Sequence, residues 1–237
     1  MTDQIHSHLY VFCSDRPRNG KTLLARLFCG YFPNTGPKQF HIFDTDFPEG
    51  NICSYFPQNS EVIDFGKTTG RVKLFDTIVG DPERSYVIDL QAEYLDVFFE
   101  TYRNIEFDLE ARASGIGTVV YYMQDRDSKS LQAAHDLEEK LNFATFFLVK
   151  NDAIEKRANY NPTSDLALSL DHIRSVRLPI VTDDLLNVLE HREFSLFEFM
   201  AGRQTGLPYD IYLEMWNLLD FFYGQRAPDK EGFTHFI

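Results

Sequence analysis

Cysteine is scarce in this chain: Cys13, Cys29 and Cys53 are the three among 237 residues. Their odd number and wide spacing argue against a disulfide framework or a zinc knuckle, and no Cys-x-x-Cys pair offers an iron–sulfur or redox site. Cations are also in deficit, with 23 Lys and Arg against 36 Asp and Glu and a formal net charge of -13. An acidic chain is a poor general binder of nucleic acid, so DNA is disfavoured as a partner, although a local basic patch stays open. No apolar run has membrane-spanning length, and Met1-Thr2-Asp3-Gln4-Ile5-His6 lacks a basic n-region. Neither a transmembrane segment nor a signal peptide is expected, and the predicted location is cytoplasmic. The seven histidines are scattered without a ligand pair at helical spacing, and no Gly-x-Ser-x-Gly elbow occurs.

What is present is an alternation of short apolar runs with helical stretches. Hydrophobic residues make up 43% of the chain and aromatics 15%, enough for a full core without covalent staples. Strands are predicted at Leu9–Cys13, Phe40–Phe43, Tyr86–Ile88, Thr118–Met123 and Thr145–Val149, with shorter runs at Val62–Phe65 and Val176–Pro179. Between them, helical spacing marks Thr22 to about Tyr31, closed by Pro33 and Gly36-Pro37. It also marks Gly70–Val79 with Val72, Phe75 and Ile78 on one face, and a stretch carrying Leu95, Phe98, Phe99 and Tyr102. A helix from Ser128, as N-cap, to Leu141 comes next. Two further helices are expected near Asp183–Glu190 and Tyr209–Tyr223, the latter with Ile211, Tyr212, Met215, Trp216, Leu219 and Phe222 as its stripe. The pattern predicts an α/β fold with a doubly wound, mainly parallel sheet in one domain over residues 1–237. A C-terminal helical region at about 183–223 should pack on it, with a tail at 224–237.

The first strand and first helix are joined by Ser14-Asp15-Arg16-Pro17-Arg18-Asn19-Gly20-Lys21-Thr22. Gly-Lys-Thr is a common tripeptide, but a strand–loop–helix junction is where a phosphate site must be built. Backbone N–H groups at the helix N-terminus would face phosphate oxygens, and Gly20 would allow close approach. Lys21 would supply charge to the β- and γ-phosphates, and Thr22 a hydroxyl to Mg²⁺. The general phosphate-loop pattern has glycine where Asp15 stands; the plainer alternative is a surface loop that caps a helix.

Three acids stand at or just beyond strand ends: Asp44, Asp46 and Asp89. In such sheets the strand ends deliver residues to the ligand crevice. Mg²⁺ takes oxygen ligands and usually keeps waters, so Asp89 is the natural acid to hold it through water. Asp46 could orient an attacking water with Asp44 supporting it. Singly, each acid could equally be a cap or a turn residue. Gln91, two residues beyond Asp89, could touch a γ-phosphate or be a polar loop residue.

Together these residues resemble the ParA/MinD group of deviant-Walker P-loop ATPases. Where that family has Lys-Gly-Gly-x-Gly-Lys-Thr, this chain has Arg16-Pro17-Arg18-Asn19-Gly20-Lys21-Thr22. The partitioning branch has Asp-x-Asp-Pro-Gln-Gly-Asn, matched here by Asp44-Thr45-Asp46-Phe47-Pro48-Glu49-Gly50-Asn51 with one inserted residue. The resemblance implies ATP and Mg²⁺ as cofactors, with Lys21 and Thr22 on phosphate and metal and Asp46 serving the attacking water; Asp44 and Asp89, from their strand ends, are the candidate acids at the metal beside Thr22. It places Asn151 at the base and Arg16 at the signature position that reaches a partner's phosphates in an ATP-sandwiched homodimer. Pro17 and Arg18 depart from the Gly-Gly pair: either the dimer is arranged differently, or these residues add phosphate contacts, and Arg18 and Asn19 join Gly20, Lys21 and Thr22 as candidate nucleotide-binding residues. A guanine reader of the Asn-Lys-x-Asp type needs an acid where Ile154 stands, which favours ATP over GTP. The implied function is an ATPase switch that dimerises with ATP, meets a protein partner, and positions a protein or plasmid cargo. The alternatives are an ATP-dependent ligase or synthetase on the same fold, and a nucleotide-binding adaptor that does not hydrolyse.

Overall fold

The computed structural model describes residues 5–31, 40–125, 127–155, 173–204 and 206–225. Pro33, Gly36 and Pro37, and residues 226–237 of the expected tail, lie outside them. The strands are β1 (Ser7–Cys13), β2 (His41–Asp44), β3 (Ser60–Val62), β4 (Tyr86–Asp89), β5 (Ile116–Met123), β6 (Thr145–Asn151) and β7 (Arg174–Leu178). All pair in parallel, in the spatial order β3-β2-β4-β1-β5-β6-β7. The helices are α1 (Lys21–Tyr31), α2 (Thr68–Gly80), α3 (Leu95–Asn104), α4 (Phe107–Ala113), α5 (Ser128–Glu138), α6 (Asp152–Glu155), α7 (Asp183–Glu190), α8 (Leu196–Met200) and α9 (Tyr209–Gly224).

β1 lies between β4 and β5, and its unbroken run Leu9–Cys13 suits a strand buried on both faces. Leu9, Val11 and Cys13 join side chains of α2–α5 in one core cluster. Tyr10 and Phe12 join those of α1 and α7–α9 in the other. Burying each such side chain is worth about 1.5–3 kcal/mol. Because every strand runs the same way, the C-terminal ends of β1, β2, β4, β5 and β6 arrive along one edge. That edge carries Cys13, Asp44, Asp89, Met123 and Asn151.

Several local expectations are corrected. The third strand is Ser60–Val62, not Val62–Phe65, because the amide of Phe65 turns back to the Ile63 carbonyl. Val72 is 51% exposed, so the buried stripe of α2 is Leu74, Phe75 and Ile78. The N-cap of α5 is Asp127, whose carboxylate accepts from the Ser130 amide at 2.8 Å; Ser128 is already helical, and the helix ends at Glu138 rather than Leu141. α4 and α8 were not expected, being too short to show a period. The C-terminal helices pack on the α1 face through Leu185, Leu189, Phe199, Ile211, Met215 and Phe222, whereas Tyr212 of the predicted stripe is 41% exposed. Among the described residues no helix is long and apolar enough to cross a membrane.

Candidate functional site

The loop after β1 is shaped by one glycine and several side-chain ties. Gly20 has φ +98°, and a Cβ there would lie 3.0 Å from Asn151 Nδ2 and 3.2 Å from Leu178 Cδ2. Its carbonyl accepts from the Leu24 amide at 2.9 Å, which opens α1. Arg18 also sits in the left-handed region, at φ +58°. The Lys21 side chain is buried, and its ammonium donates to Ser14 Oγ and the Arg16 carbonyl, both at 3.1 Å. Burial lowers its pKa, with the Asp89 carboxylate opposing that shift.

The other loop side chains reach neighbouring strands and helices. Asp15 Oδ1 accepts from Ser130 Oγ at 2.7 Å and from the Tyr122 hydroxyl at 2.9 Å. Arg16 lies between two carboxylates, 3.2 Å from Asp15 Oδ2 through Nε and 2.7 Å from Asp127 Oδ2 through Nη2. Asn19 is buried; its Nδ2 donates to the Met123 carbonyl at 3.2 Å, and its Oδ1 has no partner among the described residues. Asn151, at the end of β6, donates to the Asn19 carbonyl at 2.9 Å and accepts from the Ala153 amide at 3.0 Å.

The three acids differ sharply. Asp89 is fully buried at the end of β4; Oδ2 accepts from Thr22 Oγ1 at 2.7 Å, while Oδ1 has no partner among the described residues. Burial pushes its pKa up to about 7, against the Thr22 hydrogen bond and the Lys21 charge, which lower it. Asp44 is equally buried, but its carboxylate is filled by backbone. Oδ1 accepts from the Asp46 amide at 2.9 Å, and Oδ2 from the Ile52 and Cys53 amides at 2.8 and 3.4 Å. Asp46 is half-buried and accepts from Asn51 Nδ2. Thr45 ties the two strand ends, donating to the Asp89 carbonyl at 3.1 Å and accepting from the Gln91 amide at 2.8 Å.

A cavity of about 690 Å³ lies over this edge. The loop residues Pro17–Leu23 form its floor, Asp46, Asn51 and Gln91 one wall, and Asn151, Ala153 and Ile154 with α7 the other. It therefore gathers Arg18, Asn19, Gly20, Lys21, Thr22, Asp46 and Asn151, while Asp89 stands behind Thr22. Among the described residues no group of three or more His, Cys, Asp or Glu could hold a metal ion. Thr22 with the unpartnered oxygen of Asp89 fits Mg²⁺, which otherwise takes phosphate and water oxygens. Both oxygens of Asp44 already accept from backbone amides, and Asp44 is not among the residues lining the cavity. Tyr122, Asp127 and Ser130 escaped the sequence reading, as did the α7 wall of Asp183, Leu186 and Glu190; Asp15 stood out there only as replacing a glycine. Only Asp127 carried a signal, as a capping residue.

The chain matches no protein-family profile and no curated protein sequence. It is similar to solved structures. The ParA family ATPase from Chlorobium tepidum TLS aligns over 92% of this chain and 98% of its own, with a TM-score of 0.52 and 11% identity. A nucleotide-binding protein from Archaeoglobus fulgidus, in complex with ADP, covers 83% and 93% at a TM-score of 0.45 and 16% identity. The MinC:MinD cell division protein complex of Aquifex aeolicus covers 95% and 99% at 0.44 and 11%. The ParA/MinD resemblance expected from the phosphate loop is thus borne out as one of fold, with the seven-stranded α/β sheet of a ParA-family ATPase.

Proposed function

We propose that this chain binds ATP with Mg²⁺ at the loop Arg16–Thr22 and acts as a nucleotide-dependent dimerising switch. The observation that carries the reading is the junction of Thr22 with Asp89: a fully buried carboxylate, one oxygen of which has no partner among the described residues, accepts at 2.7 Å from the hydroxyl of Thr22, which lines a cavity floored by the loop. Loop amides and Lys21 would hold the phosphates, and Lys21 would turn from Ser14 and Arg16 to do so. Thr22 and Asp89 would hold Mg²⁺, which neutralises phosphate charge. Asp46, already oriented by Asn51, would position the attacking water. Ile154 lines the cavity and offers guanine no acceptor, so adenine is the favoured base. The cargo would be a protein or plasmid, met through a protein partner in the cytoplasm, with DNA disfavoured by the acidic charge.

A second reading has its own observation. Arg16, in the position expected to reach a partner's phosphates, is held by Asp15 and Asp127 of its own chain. That favours an adaptor that binds nucleotide without hydrolysing it. Light scattering and phosphate release on the pure chain separate the two. A mass that doubles with Mg²⁺ and ATP, with slow phosphate release lost in Asp46→Ala, supports the switch. A monomer that binds ATP and releases no phosphate supports the adaptor.

A further inference from the structure

We infer that Asp15 is a positioning residue that sets the shape of the phosphate loop, in the place where such a loop ordinarily relies on glycine. The inference rests on the nucleotide-binding reading above and deepens it. Between Ser14 and Gly20 the loop has no glycine. Pro17 has no N–H and a fixed φ, and Arg18 holds a left-handed conformation that side chains resist. Such a backbone does not keep its shape by its own preference, so neighbouring structure must impose it.

The imposing structure is the first turn of α5 with the end of β5. One carboxylate oxygen of Asp15 accepts from Ser130 Oγ at 2.7 Å and Tyr122 Oη at 2.9 Å, and both donors belong to fully buried residues. Burial drives the Tyr122 pKa upward, which keeps the hydroxyl protonated and donating. Ser130 Oγ is itself fixed, accepting from the Asp125 amide at 3.0 Å. The other Asp15 oxygen pairs by charge with Arg16, 3.2 Å from Nε, and Arg16 Nη2 donates to the α5 cap Asp127 at 2.7 Å. Two successive loop residues are thereby fastened to one helix turn. With the loop held open in advance, binding free energy is not spent on ordering it.

This makes restoration of glycine harmful. Mg²⁺-ADP is titrated into the full chain and its variants by calorimetry, with melting temperatures recorded in parallel. Asp15→Gly is expected to weaken Kd about tenfold, the scale of hydrogen bonds to a charged group. Asp15→Asn, which keeps an oxygen for both hydroxyls, should stay within about threefold of the parent. The triple variant Asp15→Gly, Tyr122→Phe, Ser130→Ala should bind no more weakly than Asp15→Gly alone, because both hydroxyls act on the loop through the Asp15 carboxylate. If Asp15→Gly fails to fold, Ser130→Ala carries the test, with affinity expected to fall about threefold. Affinities equal to the parent's, with only the melting temperatures lowered, overturn the inference and leave the nucleotide reading intact. A parent chain that binds no nucleotide overturns both.

Discussion

Asp44 and Asp89 face each other in register at the ends of β2 and β4, both fully buried, yet they do opposite work. Three amides of its own loop close around Asp44, so the carboxylate acts as an anchor that folds Asp46–Cys53 over the strand end. Asp89 receives one hydroxyl, from Thr22, and its other oxygen, also buried, has no partner among the described residues. Two identical residues at equivalent strand ends are thus distinguished by the path of the chain beyond each. After Asp44 the chain turns back and supplies donors; after Asp89 it leaves through Leu90, whose amide goes to the Phe12 carbonyl instead. Asp44 has backbone amides on both oxygens, whereas Asp89 has a hydroxyl on one oxygen and no partner among the described residues on the other.

The sharpest way to break this contrast is to delete each side chain in turn. Asp44→Ala strands three amides and should cost on the order of 3 kcal/mol in urea unfolding. Asp89→Asn should change stability by under about 1 kcal/mol, or raise it, because a poorly solvated charge is removed. Equal losses would erase the distinction. Next in size is Gly50→Ala. Gly50 has φ +72°, and a Cβ there would lie 2.3 Å from Val62 Cγ2 and 3.5 Å from Asp44 Oδ2. About 2 kcal/mol of destabilisation is expected, partly relieved by adding Val62→Ala, again by urea unfolding.

The pH dependence has its source in Asp89. Its folded pKa of about 7 stands above the ordinary 3.8, so between those values the native state binds more protons than the unfolded chain. Stability of the nucleotide-free protein should therefore fall as pH rises from 4 to 7, by at most about 1.4 kcal/mol per pH unit from this group. Burial raises Asp44 as well, so Asp89→Asn should flatten the slope without abolishing it. An unchanged slope in that variant would remove Asp89 as its source. The smallest effect sharpens the contrast at the ligand: Asp89→Asn should weaken the magnesium-dependent part of ATP affinity about tenfold, read by titration with and without Mg²⁺.

The alternation of strands and helices was legible because long periodic or fully apolar runs have few alternatives, as at Leu9–Cys13 and Tyr86–Asp89. The loop's place was legible too, since Gly20-Lys21-Thr22 stands between the first strand and the first helix. The fate of each carboxylate was not, because it depends on where three amides near Ile52 fall in space. Nor was the clamp on Asp15 and Arg16, whose partners lie more than a hundred positions away at Tyr122, Asp127 and Ser130. Asn151 was placed correctly at the end of β6, yet its contact with the Asn19 carbonyl, which ties the far wall to the loop, has no local signature.

One titration bears most directly on the site: ATP with Mg²⁺ into the full chain by calorimetry, beside Lys21→Ala. Saturable one-site heat in the parent, weakened at least about tenfold in the variant, is the predicted result. No heat in the parent, or equal affinity in both proteins, would contradict a nucleotide site at this loop.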